Sequence, residues 1–177
     1  MAYFQKDLHN AFYVCPKNLK KAHDRLMVKK QLIIAKRKEE DRKTRAINDQ
    51  AAYVKQKRKF FGLVFSNGNI DIRVLKDVSQ FIEESEKLRH CLFTNDYHKK
   101  KDSLILKAQY KGESVETVEV CLKSFKVLQS RGKHNSPSKY NEEIISIIKD
   151  NIGKIKAISK PKGKMKSLKQ LDYAEAI

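Results

Sequence analysis

Most of the chemically capable side chains of this chain gather between residues 88 and 135. They are His90 beside Cys91, then Tyr97, the run Thr117-Val118-Glu119, and the loop Gln129-Ser130-Arg131-Gly132-Lys133-His134-Asn135. His90, Glu119, Gln129 and Asn135, with Glu116 and His134 near them in sequence, offer imidazole and carboxylate groups of the kind that hold Mg²⁺ or Mn²⁺ during phosphodiester cleavage. No spacing among them matches an established metal signature, so no metal site is assigned; His90 and Glu119 are the nearest candidates. Neighbours on one backbone rarely face each other, which argues against His90 and Cys91 as base and nucleophile. The plainer reading has His90 at a helix C-terminus, where a donor suits the dipole, and Cys91 as a small apolar core group. In the loop, Gly132 lets backbone N–H groups approach a phosphate flanked by Arg131 and Lys133. An ordinary strand-to-helix connection with Gly132 at positive φ is the competing reading. Tyr97-His98-Lys99-Lys100-Lys101 places an aromatic ring beside cations, which suits base stacking with phosphate contact, or a solvated loop around a half-buried tyrosine.

The elements that must position these residues belong to an α+β core over residues 58–153. Two strand-like runs, 60–65 and 70–75, flank Asn67-Gly68, a hairpin signal that predicts a type I′ turn. Asp77 with Gln80 reads as a capping box for a helix whose apolar side holds Val78, Phe81, Ile82 and Leu88, and whose wet side holds Glu83, Glu84 and Glu86. Strands are expected at 103–110, 115–122 and 125–129; in the second, Val118, Val120 and Leu122 face the core and Glu119 faces water. Ser136-Pro137-Ser138 opens a closing helix with Ile144, Ile145, Ile147 and Ile148 on its apolar face. The sheet is expected to be small, mostly antiparallel, and packed by two helices.

Outside that core the chain is basic. Residues 1–16 are an aromatic-rich lead, and residues 17–57 hold no Gly or Pro, the profile of one long helix or two joined by a short break. Residues 1–57 are thus read as a helical arm, and 154–177 as a Lys-rich flexible tail. From Lys17 to Lys59 there are 16 basic and 5 acidic residues; over the whole chain Lys and Arg outnumber Asp and Glu 39 to 21, a formal net charge of +18. Such an imbalance points to a polyanionic partner, DNA or RNA first, with a merely solvated lysine surface as the alternative. The expected phosphate contacts are Lys36, Arg37, Arg42, Lys43, Arg45, Lys57, Arg58, Lys99, Lys100, Arg131, Lys133, Lys162 and Lys164. No apolar run suits a bilayer, and Cys15, Cys91 and Cys121 form no CxxC pair, so a cytoplasmic protein with reduced thiols is expected.

The segment from Phe12-Tyr13-Val14-Cys15-Pro16-Lys17-Asn18-Leu19 through Ile148 resembles PcfJ-like proteins, a family of conjugative plasmids and related mobile elements. The resemblance rests on His90-Cys91, Tyr97, Thr117-Val118-Glu119 and Gln129-x-x-Gly132-x-x-Asn135; Leu92 stands in place of a usual valine. Gln109 stands where the family commonly has arginine, and Asn141 where histidine is common, which weakens an enzymatic reading. The resemblance also implies that this chain corresponds to the family's C-terminal region. Together these readings give a nucleic-acid-binding accessory protein that needs no cofactor. A metal-dependent nuclease with Mg²⁺ or Mn²⁺ is the alternative, and an adaptor that meets a protein partner through the N-terminal helix is a third reading.

Overall fold

The structure is a computed structural model and describes residues 17–160. The chain is α+β and divides into two units, one ending at Ala46 and one beginning at Ile47. Helix α1 (Leu19–Lys57) is continuous, as its lack of Gly and Pro predicts. In the second unit follow β1 (Val64–Ser66), β2 (Ile70–Val74), α2 (Val78–Leu88), β3 (Ser103–Tyr110), β4 (Glu113–Cys121), β5 (Val127–Arg131) and α3 (Asn141–Ser159). The five strands form one antiparallel meander in sequence order.

Both faces of the sheet are covered. On one, Ile70, Ile72, Leu104, Leu106, Val118 and Val120 pack with Ile144, Ile148 and Ile155 of α3. On the other lie α2 and the segment after it, with Phe81 against Tyr53 edge-on at 5.3 Å and Phe93 stacked on His98 at 5.2 Å. Two register shifts let β4 and β5 serve both layers. Between Ala108 and Gln109 the partner jumps from Glu116 to Ser114, so Val115 is the extra residue. Ser114 therefore reaches Glu84 of α2 (2.8 Å), while Glu116, two residues on, reaches Asn141 of α3 (2.8 Å). Between Glu119 and Val120 the partner jumps from Gln129 to Val127, which turns Gln129 toward the α2 side and Val127 toward α3.

Several local expectations are corrected. The hairpin forms, but of its central pair Gly68-Asn69 only Gly68 has positive φ (94°), the II′ rather than the I′ arrangement. The Asn67 Oδ1 atom accepts from the Asn69 and Ile70 N–H groups (3.1 and 2.9 Å) and fixes that turn. There is no capping box on α2: Gln50 of α1 accepts from the Val78 N–H (2.8 Å), and Gln80 accepts from the Lys76 N–H (2.7 Å). Glu84 is not on the wet face but 1% exposed, and burial raises its pKa. β5 begins at Val127 rather than Phe125. Helix α3 starts at Asn141 and runs through Gly153 to Ser159, so the stretch expected to open the tail is helical there. The aromatic lead and residues 161–177 lie outside the described residues.

Lys57 is a further correction, since it is 3% exposed and donates to the Lys101 carbonyl (2.7 Å) instead of facing a phosphate. Burial pushes its ammonium down from 10.5 to about 8. The unfolded chain therefore binds more protons between these values, and stability from this group rises as pH climbs from about 8 to 10.5. Lys57→Met is expected to remove that rise, worth at most roughly 3 kcal/mol at about 1.4 kcal/mol per unit. Urea unfolding of both proteins at pH 7.5 and pH 10.5 checks it, and parallel changes in the two would refute it.

Candidate functional site

The end of α2 is closed by Arg89, whose left-handed conformation (φ 51°) lets the Arg89 and His90 N–H groups reach the Ser85 carbonyl. That reversal turns the His90 side chain away from the helix end and onto the sheet, where Nε2 lies 3.0 Å from Thr117 Oγ1. His90 is 8% exposed, and burial lowers its pKa, which favours the neutral ring. Its Nδ1 atom has no hydrogen-bond partner among the described residues. The sequence reading of His90 as a dipole cap is thus replaced by a sheet-facing role. Cys91 is exposed rather than part of the core.

His90, Cys91, Leu92, Asn95, Tyr97, Thr117, Gln129, Arg131 and Asn135 line a cleft of about 170 Å³. Of the four residues expected to act together, His90, Gln129 and Asn135 meet here. The fourth, Glu119, does not line the cleft and does not face water. It is 5% exposed behind it, because the segment after α2 covers this face of β4. Three donors hold its carboxylate: Lys100 Nζ at 3.0 Å, Ser103 Oγ at 2.6 Å and Gln129 Nε2 at 3.0 Å. The same Gln129 Nε2 donates to Tyr97 Oη (2.7 Å), and the Lys100 ammonium sits 3.6 Å over the Tyr97 ring. Glu119 therefore orients Gln129, and through it Tyr97.

The opposite wall depends on Glu116, on the other face of β4 and fully buried. It accepts hydrogen bonds from the Ser130 hydroxyl, the Ser138 N–H and Asn141 Nδ2. It thereby joins β5, the following connection and α3. Gly132 is required, though not for positive φ, since its φ is −100°. A Cβ there would fall 2.7 Å from the Val115 carbonyl and 3.1 Å from that of Ser136. Its N–H is engaged by the Ser136 carbonyl (2.9 Å), so it is not presented to a phosphate. Left-handed conformations fall instead on His134 (57°) and Asn135 (61°), the latter among the residues that tolerate them best.

The expected metal set is split. Glu116 and Glu119 lie on opposite faces of β4, His134 is exposed, and an ammonium already neutralises Glu119. Among the described residues a different trio, Asp49, Asp96 and His98, comes within ligand distance. Lys99 lies 3.2 Å from Asp49 and 3.4 Å from Asp96, so this cluster is also charge-compensated. Of the expected phosphate contacts, Lys36, Arg37, Arg42, Lys43, Arg45, Arg58, Arg131 and Lys133 are exposed, Lys99 and Lys100 hold the ion pairs just described, and Lys162 and Lys164 lie outside the described residues. Asn95 as a lining residue, and Ser103 and Lys100 as partners of Glu119, were not foreseen.

Among the described residues no helix is long and apolar enough to cross a membrane. No curated protein and no solved structure gives a significant match. The family profile for PcfJ-like protein matches residues 1–145 and so includes both walls of the cleft. By that match over most of its length, the chain is a member of the PcfJ-like protein family.

Proposed function

We propose that this PcfJ-like protein is a cytoplasmic nucleic-acid-binding accessory protein of a mobile genetic element, such as a conjugative plasmid. Its exposed cations would hold the phosphate backbone of DNA or RNA. The observation that carries this reading is the exposure of Lys36, Arg37, Arg42, Lys43 and Arg45 along α1, with Arg58, Arg131 and Lys133 exposed in the second unit. Phosphate neutralisation by such side chains releases counterions and makes affinity fall steeply with salt. Leu26, Met27, Val28, Leu32, Ile33 and Ile34, which precede these cations on α1 and are also exposed, offer apolar surface to a protein partner through the same helix.

Metal-dependent phosphodiester cleavage with Mg²⁺ or Mn²⁺ is the second reading, favoured by the meeting of His90, Gln129 and Asn135 in one cleft. The Lys100 ammonium on Glu119 weighs against it, since a cation bound to that carboxylate would be repelled.

A salt titration of binding to labelled single-stranded DNA, duplex DNA and RNA, run with and without Mg²⁺ or Mn²⁺, tests both. Steep salt dependence with intact substrate is expected. Absence of binding to all three polymers would overturn the proposal, and metal-dependent cleavage abolished by Glu119→Ala would put the second reading first.

A further inference from the structure

We infer that the cleft beside β4 and β5 is a pocket for one unstacked nucleotide, its base among the carboxamides and its phosphate at Arg131. This deepens the proposed nucleic-acid binding and rests on it. The first argument is size: about 170 Å³ accommodates a single planar heterocycle. Proteins that read a base in such a pocket take it out of the stack.

The second argument is the chemistry of the lining. Asn95, Gln129 and Asn135 bring three carboxamides, the groups that present donor and acceptor side by side as base edges do. The side chains of Asn95 and Asn135 have no hydrogen-bond partner among the described residues. For Gln129 the orientation is fixed, because the Glu119 carboxylate requires a donor and takes Nε2. Both Gln129 amide hydrogens are thereby spent on Glu119 and Tyr97, which leaves Oε1 as an acceptor. Tyr97 Oη, accepting from Gln129, keeps its own proton to donate. An acceptor and a donor thus stand next to each other, locked by the hydrogen bonds to the buried Glu119 carboxylate, before any ligand arrives.

The third argument distinguishes a nucleotide from free phosphate. A phosphate pocket wants convergent N–H groups or a helix N-terminus. Here the Gly132 N–H is taken by Ser136, and His90 is held toward its neutral form by burial. The Arg131 guanidinium, without an ion pair or hydrogen bond among the described residues, is the one formal charge on the lining. One cation at the rim and neutral hydrogen-bonding groups inside match a base with its adjoining phosphate, and Lys133, two residues on, suits the next phosphate along a strand.

The test uses the full chain. Side-chain amide signals of Asn and Gln are followed by NMR during titration with each of the four nucleoside 5′-monophosphates and, separately, with inorganic phosphate. In parallel, anisotropy of fluorescein-labelled single-stranded homopolymers is measured for the wild type, Asn135→Asp and Arg131→Gln, both exposed positions. At least one nucleotide is expected to shift the amides while phosphate does not, and one homopolymer is expected to bind about tenfold tighter than the weakest. Asn135→Asp should collapse that preference, and Arg131→Gln should weaken all homopolymers together. Salt-dependent binding of every homopolymer at equal affinity, with amides unmoved by nucleotides, would overturn the pocket and leave the proposed function standing. Amides moved by nucleotides without any polymer binding would keep the pocket and overturn the proposed function.

Discussion

Glu116→Ala is expected to destabilise the second unit by about 3 kcal/mol, the largest single-site effect on folding argued from this structure. The carboxylate is fully buried and takes three donors: the Ser130 hydroxyl, the Ser138 N–H and Asn141 Nδ2. Truncation leaves all three facing a space that was filled, and each stranded donor costs roughly 1–3 kcal/mol unless water replaces the lost oxygen. Those donors sit in β5, in the connection after it and in the first turn of α3. The loss is therefore expected to loosen the wall that carries Asn135 before it melts the sheet. Glu116→Gln should cost less, since one oxygen remains, but its NH₂ must then face donors. Urea unfolding gives the stability change, and hydrogen exchange at the Ser138 amide reports the local opening. A loss below about 1 kcal/mol with Ser138 still protected would refute the role assigned to Glu116.

The meander was legible because its signals are local: Asn67-Gly68, Lys111-Gly112 and the alternation of valines in β4 each act over a few residues. Alternation gives the side a residue takes but not whether that side is covered. Glu119 was thus expected in water and lies under the segment that carries Lys100. The pairing of Lys100 with Glu119 spans 19 residues, and nothing in the sequence between them marks it. The bulges at Val115 and Leu128 were equally hidden, since an extra residue in a strand leaves no compositional trace, yet they decide which side Ser114 and Gln129 take. Gly132 was singled out for the wrong physical reason. A glycine shows only that a side chain is unwelcome, and here the obstacle is the Val115 carbonyl, not the sign of φ. Lys57 looked like any other arm cation because the apolar stripe of α1 is too intermittent to show where packing begins.

Replacing Lys36, Arg37, Arg42, Lys43 and Arg45 together by glutamine is expected to have the largest effect on binding. Each phosphate contact contributes about 0.9 to the slope of log affinity against log salt for duplex DNA, so losing five should flatten it by roughly 4.5. Between 50 and 200 mM salt the wild type should then lose roughly 500-fold more affinity than the variant. The substitution is chosen to leave the fold intact. All five positions are exposed, glutamine propagates a helix nearly as well as lysine or arginine, and they precede Ile47, where the second unit begins. Lys43 pairs with Glu39 at 3.5 Å, an exposed i,i+4 contact worth only about 0.3–0.5 kcal/mol. Circular dichroism and the melting temperature should accordingly match those of the wild type. With folding matched, an unchanged slope would mean that the arm touches no phosphate and that Arg58, Arg131 and Lys133 carry the binding. A slope near zero would mean the reverse, with the cleft selecting among bases on a strand that the arm alone retains.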